Sequence, residues 1–268
     1  LMAIYDCFQY FNEDHMIDLR FNILNEYVDF FVISESTKTH QGDNKNLNFK
    51  IENFKKYKHK IIYTVADFQK EKDFLNHKGG ESLIEQHQRN NILNGLNKAS
   101  DNDLIILSDS DEIPDLKKIN QIKSTSKFIA FSQKMFMYKL NLQNINESGW
   151  IGSKICLKKN LPLPQKLRDL KFKEYPFWRF DKKNLQIING GWHFSFLQSP
   201  QDISNKIKSY SHGEFNTEDN IDIEKINHKI SNNFDIFNRG YELKKINIDS
   251  SFPDYIVNNT SFLRNWII

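Results

Sequence analysis

Cysteine is scarce in this chain, which has only two, Cys7 and Cys156. They lie far apart in the sequence, each among apolar residues. This spacing excludes a disulfide framework and a cysteine-rich zinc site, which both need clustered or repeated cysteines. We therefore expect two buried thiols in a reducing compartment.

Long apolar runs and an excess of one charge are also missing. No stretch approaches the ~20 apolar residues that a membrane-spanning helix needs, and no signal peptide is visible. Lysine and arginine number 37 against 34 aspartates and glutamates, for a net charge of +3. No basic block is interleaved with aromatic residues, so the composition argues against a nucleic-acid partner.

What the chain does have is enough apolar material for a large core. Hydrophobic residues make up 39% of its 268 positions, and 22 of these are phenylalanine. That length suits one large α/β domain, or one domain with a C-terminal elaboration. Apolar runs typical of strands, at 3–8, 29–34 and 61–65, alternate with segments of helical periodicity. The pattern predicts an α/β fold with a mostly parallel central sheet flanked by helices.

The acidic stretch SDSDEIP at 108–114 follows an apolar run at 104–107. So short an apolar run is typical of a strand buried on both faces. Ligands of open α/β sheets bind outside the carboxyl ends of strands. Asp109 and Asp111 therefore suit a pair of carboxylates that holds Mg²⁺ or Mn²⁺ against a diphosphate. The alternative is a solvated turn, with Asp115 capping a helix over 116–124.

A second distinctive stretch is GGWHF at 190–194. Its two glycines allow a close approach of another backbone. Residues that are adjacent in a strand point to opposite faces, so we expect Trp192 and His193 to lie on opposite faces of the sheet. His193 is a candidate ligand, and the alternative is a hydrogen-bonded core residue.

Two further charged residues have open roles. Glu35 ends the second predicted strand, where such folds often meet a nucleoside, and the alternative is a surface residue. Arg89 lies within a long helix predicted over 81–99. It is placed either to pair with Glu85 one turn away or to direct its guanidinium at phosphate.

Four segments in register carry a family resemblance: IYDCF at 4–8, VDFFVISES at 28–36, SDSDEIP at 108–114 and GWHFS at 191–195. Together they resemble glycosyltransferase family 17, the β-1,4-mannosyl-glycoprotein β-1,4-N-acetylglucosaminyltransferase group. The resemblance spans roughly residues 3–215. It implies a GT-A-type, Rossmann-like fold, a UDP-sugar donor and an Asp-X-Asp metal site.

The resemblance also implies roles for individual residues. Asp109, Asp111 and His193 are expected to hold Mn²⁺ or Mg²⁺, with Asp109 also contacting the donor. Glu35 is expected to hydrogen-bond the uridine, and Arg89 to contact the phosphates or the sugar. Trp192 or Trp150 is expected to stack on a sugar face, with core packing as the alternative.

An inverting transfer needs a general base across the anomeric carbon from the leaving group. We expect Glu214, in the loop after a helix over 199–210, to be this base. Asp169 is the second candidate. The alternatives are a loop residue after a helix for Glu214 and an ion pair with Arg168 for Asp169.

We thus expect a single GT-A-like domain over 1–268. Residues 1–115 form its nucleotide-sugar half, 116–215 its acceptor side and 216–268 a helical C-terminal segment. The expected reaction moves a sugar, N-acetylglucosamine, from a UDP-sugar to a glycan hydroxyl. The alternatives are a nucleotide-sugar hydrolase, a nucleotidyltransferase and a non-catalytic carbohydrate-binding protein. The expected setting is the cytoplasm, as for a soluble bacterial or viral enzyme, and the question of an upstream anchor stays open.

Overall fold

The computed structural model describes residues 2–68, 80–173, 178, 184–209 and 215–268. Within these ranges the helices are all too short or too polar to cross a membrane. The described strands form one ten-stranded sheet. The α/β class predicted from the sequence is therefore confirmed.

The first half of the chain builds parallel β-α-β units. Its elements are β1 (Ile4–Tyr10), α1 (Asp14–Leu24), β2 (Phe30–Ser36), β3 (Ile61–Ala66), α2 (Gly80–Asn90) and β4 (Leu104–Ser108). A 3-10 segment, Ile51–Lys60, precedes β3. The four strands lie in the order β3-β2-β1-β4 and are all parallel. Strand β1 has β2 on one side and β4 on the other, so the switch point of the topology lies between β1 and β4.

The second half extends the sheet mainly with antiparallel strands. Its elements are β5 (Glu112–Ile113), β6 (Phe128–Met137), β7 (Leu142–Asn144), β8 (Trp150–Leu157), α3 (Pro164–Asp169), β9 (Leu185–Ser195) and α4 (Pro200–Ser209). Strand β8 runs antiparallel to both β4 and β6, whereas β9 runs parallel to β6. Parallel pairing is thus concentrated in the first half. The reason is that β6 returns to β8 through the short strand β7, without the helical crossover that a parallel pair needs.

The C-terminal segment is helical except for one strand. It contains α5 (Glu218–Ile221), α6 (Ile223–Ser231), β10 (Leu243–Lys245), α7 (Asp254–Asn258) and a 3-10 turn, Arg264–Trp266. Strand β10 pairs with β7 and lies at the edge of the sheet. The segment is mostly helical, as expected, and it also adds the edge strand β10 to the sheet.

The sheet is buried on both faces, as the apolar run at 104–107 predicts. All five residues of β4 are buried. Ile106 packs into the larger core with α1, whereas Ile105 and Leu107 pack into the opposite cluster. Cys7 and Cys156 are buried free thiols in that second cluster.

Two predicted helices are shorter than their periodicity indicates. The helix predicted over 81–99 ends at Asn90 and continues as a 3-10 helix, Asn91–Leu96. The helix predicted over 116–124 is a 3-10 helix, Leu116–Gln121, and Asp115 makes no side-chain cap for it.

Candidate active site

A cavity of about 350 Å³ opens at the carboxyl ends of the parallel strands. Asp109 and Asp111 line it together with His193 and Arg89. The volume lies within the range that small-molecule sites occupy. The structure therefore brings four of the predicted site residues to one cleft, beside the switch point between β1 and β4.

His193 reaches the acidic stretch because β9 pairs with β5. His193 lies opposite Glu112 in this antiparallel pair, and the Phe194 N–H donates to the Asp111 carbonyl over 2.9 Å. Gly191 has φ +109°, and a Cβ built on it would lie 2.5 Å from the Ile113 carbonyl oxygen. Only glycine permits this approach, which confirms the expectation drawn from the paired glycines.

The Asp111 carboxylate lies 3.5 Å from His193 Nε2. Lys206, on α4, places its Nζ 3.9 Å from Asp111 and 3.4 Å from Glu13. Burial raises the pKa of Asp111, but His193 and Lys206 outweigh it, so the net pKa is lowered. Burial lowers the pKa of His193, and Asp111 outweighs this effect and raises it. Asp111 is thus ionised, and its negative charge favours the imidazolium form of His193.

Asp109 has a different set of partners from Asp111. Its Oδ1 accepts a hydrogen bond from Arg89 over 3.2 Å, and its Oδ2 accepts one from Arg168 over 2.6 Å. Arg89 also pairs with Glu85 over 2.7 Å, as the i,i+4 spacing predicts. Burial raises the pKa of Asp109, but the two arginines outweigh it and lower the pKa overall. That Asp109 is a cation ligand stays a prediction, since both oxygens here accept guanidinium hydrogen bonds.

Glu112 stabilises the acidic stretch from the protein interior. It is fully buried, and its carboxylate accepts hydrogen bonds from Trp150 Nε1 over 2.6 Å and from both terminal nitrogens of Arg168 over 3.0 Å. It also accepts one from the Asp109 N–H over 3.0 Å. The bidentate arginine fixes the direction of the carboxylate. The Trp150 ring, 4.9 Å from that of His193, is thereby held on the cavity wall.

A buried ion pair lies beneath this stretch. Arg20 on α1 and Asp6 on β1 are both completely buried and pair over 2.6 Å. Arg20 Nη1 also donates to the carbonyl of Glu112 over 2.6 Å, and more weakly to those of Ser110 and Asp109. The Arg20 guanidinium therefore donates to three carbonyl oxygens of the acidic stretch, and the chain curves around it.

Two predicted donor contacts do not lie at the cavity. Glu35 is fully buried, and its oxygens accept hydrogen bonds from Lys45 Nζ and from Asn48 N, Phe49 N and Tyr63 Oη, over 2.5–3.0 Å. With these four donors satisfied, Glu35 orders the loop after β2 and does not face a nucleoside. Trp192 packs in the main core and donates to the Ser251 carbonyl over 3.2 Å. Its face of β9 is opposite that of His193, so Trp150 is the tryptophan at the cavity.

The two candidate bases have different outcomes. Glu214 lies outside the described residues. Asp169 is exposed at the end of α3, where it accepts a hydrogen bond from Gln165 over 2.8 Å. It does not line the cavity, and Arg168 turns away from it towards Asp109 and Glu112. This geometry does not support Asp169 as the base.

The donor set at Asp111 and His193 suits a divalent cation. A carboxylate oxygen and an imidazole nitrogen 3.5 Å apart are close enough to bind one ion from two sides. Imidazole favours Mn²⁺ over Mg²⁺, which prefers oxygen ligands. Across the part of the chain that the structure describes, no group of three or more His, Cys, Asp or Glu side chains is arranged around one ion.

Several residues at the site have no counterpart in the predictions. No sequence motif marks three of them, Arg20, Lys206 and His40. Their partners are distant in sequence, so no local pattern predicts these contacts. One signal was present for Arg20: Asp6 interrupts an apolar strand, and a buried carboxylate needs a cationic partner. For Arg168, proximity to Asp169 in sequence suggests a pair that the structure does not form.

The fold is an α/β sheet flanked by helices, with a cavity at the carboxyl ends of its parallel strands. The model of glycosyltransferase family 17 matches residues 2–242, and the chain belongs to this family. It is therefore a transferase enzyme. No curated protein matches the chain in sequence.

Two solved structures show how distant the structural neighbours are. HddC from Yersinia pseudotuberculosis, complexed with GMP-PN, is 12% identical with a TM-score of 0.33, over 73% of this chain and 90% of that one. A glycosyltransferase involved in glycosylation of the major capsid of PBCV-1 is also 12% identical. Its TM-score is 0.28, over 70% of this chain and 80% of that one.

Proposed function

We propose that this enzyme is a metal-dependent, inverting glycosyltransferase that moves N-acetylglucosamine from a UDP-sugar to a glycan hydroxyl. The observation that carries the proposal is a pair of side chains at the cavity in a chain of family 17: Asp111, which follows β4, and His193, on β9. The sugar and the uridine nucleotide come from the family resemblance. The cation comes from the chemistry of the paired side chains.

Asp111 and His193 are proposed to hold Mn²⁺ or Mg²⁺ at the diphosphate. When bound, such an ion neutralises charge on the diphosphate as it leaves and orients it. The carboxylate of Asp111 is ionised well below neutral pH, because His193 and Lys206 outweigh the effect of burial. His193 must lose its proton to become a ligand, so the cation and a proton compete for one nitrogen.

Arg89 and Lys206 supply positive charge on the cavity wall. Arg89 is held between Glu85 and Asp109, so its guanidinium is fixed before a donor arrives. A positioned guanidinium suits phosphate oxygens or sugar hydroxyls. We propose that Arg89 contacts the donor, with Asp109 acting as its anchor and as a donor contact.

The acceptor reaction needs a base and a surface for the sugar. Trp150 offers an indole face on the cavity wall, where sugar rings stack, and Glu112 holds its orientation. Glu214 stays the proposed base. It would take the proton of the acceptor hydroxyl as that oxygen attacks the anomeric carbon and the nucleoside diphosphate leaves.

The test is incubation with UDP-N-acetylglucosamine, Mn²⁺ and a panel of glycan acceptors, with products identified by mass spectrometry. We expect a new glycoside from the wild type and from the control Asp101→Asn, at an exposed turn, and none from Asp111→Asn. Free sugar without glycoside would replace the proposal with a hydrolase. In a parallel incubation with added pyrophosphate, UTP and sugar 1-phosphate formed from the UDP-sugar would indicate a nucleotidyltransferase. Sugar binding without any turnover, unchanged in Asp111→Asn, would indicate a carbohydrate-binding protein.

A further inference from the structure

His40 lies in the loop after β2 and lines the same cavity as Asp111. Its Nε2 is 3.0 Å from Gln88 Oε1. Across the described part of the chain, this is the one hydrogen bond that the imidazole makes. Whether His40 or Gln88 supplies the proton of this hydrogen bond decides whether the other ring nitrogen of His40 can accept a hydrogen bond from a ligand.

Gln88 settles that question by its own hydrogen bonds. Its Nε2 donates to the Tyr10 carbonyl over 3.1 Å and to the Ser34 carbonyl over 2.9 Å. Carbonyl oxygens only accept, so the amide cannot be turned around without losing both bonds. Gln88 Oε1 is therefore an acceptor, and the proton of the contact belongs to His40 Nε2.

The other ring nitrogen, Nδ1, then depends on the charge of the ring. Burial lowers the pKa of His40, and Arg89 adds to this effect. Glu85, the Gln88 hydrogen bond and Glu13 act in the opposite direction without reversing it. At neutral pH the imidazole is uncharged, and Nδ1 is a hydrogen-bond acceptor with a fixed direction.

The position of His40 limits which part of a nucleotide sugar can reach it. Asp111 follows β4 and His193 lies on β9, whereas His40 follows β2 and contacts α2 through Gln88. With the diphosphate at the Asp111–His193 pair, the parallel half of the sheet is the nucleoside side. Phe11, next to the end of β1, lines the cavity on this side, and aromatic rings are the side chains on which bases stack.

We propose that His40 Nδ1 accepts a hydrogen bond from the N3–H of the donor's uracil and thereby selects uridine over cytidine nucleotides. The proposal rests on the UDP-sugar donor proposed above. Uracil carries a proton on N3, whereas cytosine has a lone pair there. In a cytidine nucleotide two acceptors would face each other, and neither would be satisfied. The other donors of these nucleotides are the ribose hydroxyls, which both share, and the N4 amino group of cytosine, which lies beside N3 and not at its position.

The test is calorimetric titration of UDP, CDP and N3-methyl-UDP, each with Mn²⁺, into wild-type and variant proteins. In His40→Gln the side-chain amide replaces Nε2 and keeps the contact with Gln88, but the Nδ1 acceptor is lost. His40→Asn places an oxygen near the position of Nδ1. His59→Gln is the matched control, because His59 is exposed on the 3-10 segment before β3.

We expect the wild type and His59→Gln to bind UDP at least about tenfold more tightly than CDP or N3-methyl-UDP, the scale of one hydrogen bond. His40→Gln should bind UDP about tenfold more weakly and CDP unchanged, so that the ratio approaches one. His40→Asn should recover part of the selectivity. Circular dichroism checks the fold of each variant, and His40→Ala serves in place of His40→Gln if that variant is unfolded.

Two results would overturn the assignment of His40 alone. One is equal affinity of the wild type for UDP and CDP. The other is a loss in His40→Gln that is the same for both nucleotides, which would assign His40 to the ribose. Absence of any UDP binding by the wild type would instead overturn the proposed donor.

Discussion

The buried Arg20–Asp6 pair is the structural feature whose removal should have the largest effect. Both side chains are completely inaccessible, and the guanidinium contacts the carboxylate through two nitrogens at 2.6 Å each. Arg20→Met removes the cation but leaves the Asp6 carboxylate buried. Breaking a buried pair in this way costs about 3–5 kcal/mol, because the remaining charge has no partner.

Thermal unfolding followed by circular dichroism measures this cost. At roughly 2–3 °C for each kcal/mol in a chain of this size, Arg20→Met should lower Tm by about 6–15 °C. Lys58→Met breaks an ion pair with Glu52 in which both side chains are more than half exposed. That control should change stability by no more than about 1 kcal/mol.

The double variant Asp6→Leu/Arg20→Met separates the effect of the unpaired Asp6 charge from the effect of losing the hydrogen bonds that Arg20 donates to the acidic stretch. Removing both charges should restore much of the lost stability, since apolar residues often replace a buried pair without loss. The carbonyls of Asp109, Ser110 and Glu112 would still lack their common donor. Mn²⁺ affinity should therefore stay below that of the wild type. If Arg20→Met is as stable as Lys58→Met, or if the double variant is no more stable than Arg20→Met, an unpaired buried carboxylate does not cause the loss.

Three further predictions concern the surroundings of the site. Glu35→Gln should lower the free energy of unfolding by about 2–3 kcal/mol in urea titrations, because an amide nitrogen would face donors; unchanged stability would contradict this role. Arg168→Lys should lower kcat/KM about tenfold or more, because a lysine cannot bridge Asp109 and Glu112; Arg264→Lys, at an exposed position, is the control, and equal kinetics would contradict the prediction. The third concerns His193, whose pKa is raised in the folded state. Its contribution to stability is complete below the unfolded pKa of about 6.5 and is lost as pH rises through the folded value. Without divalent cations, His193→Gln should remove the part of the stability loss that sets in as pH rises above about 6.5; the same loss in variant and wild type would contradict it.

The parts of the molecule that local pattern specifies were predictable from the sequence. The apolar run at 104–107 predicts a doubly buried strand, and the acidic stretch after it lies at the cavity because carboxyl ends of parallel strands meet there. The alternation along β9 placed Trp192 and His193 on opposite faces, as observed. Helix α4 begins at Pro200, with the Ser199 hydroxyl accepting from the Asp202 N–H, as cap and N1 preferences indicate.

What was not predictable depends on contacts between distant residues. The Glu35 carboxylate ends a strand as expected, but its donors come from residues 45–49 and from the neighbouring strand β3. The antiparallel direction of β8 follows from the return through β7, which has no strong local signal. Arg168 lies 56 positions from Glu112 and 59 from Asp109 in sequence, so its role emerges only when α3 packs near β4.

Calorimetric titration of UDP into the free enzyme, with Mn²⁺ and then with EDTA, tests directly whether Asp111 binds the donor through a metal ion. Wild type and Asp101→Asn should bind UDP in a manner that depends on Mn²⁺, and Asp111→Asn should bind it at least about tenfold more weakly, since it lacks one of the proposed protein ligands. UDP affinity that is the same with EDTA as with Mn²⁺, or the same in Asp111→Asn as in the wild type, would contradict the account.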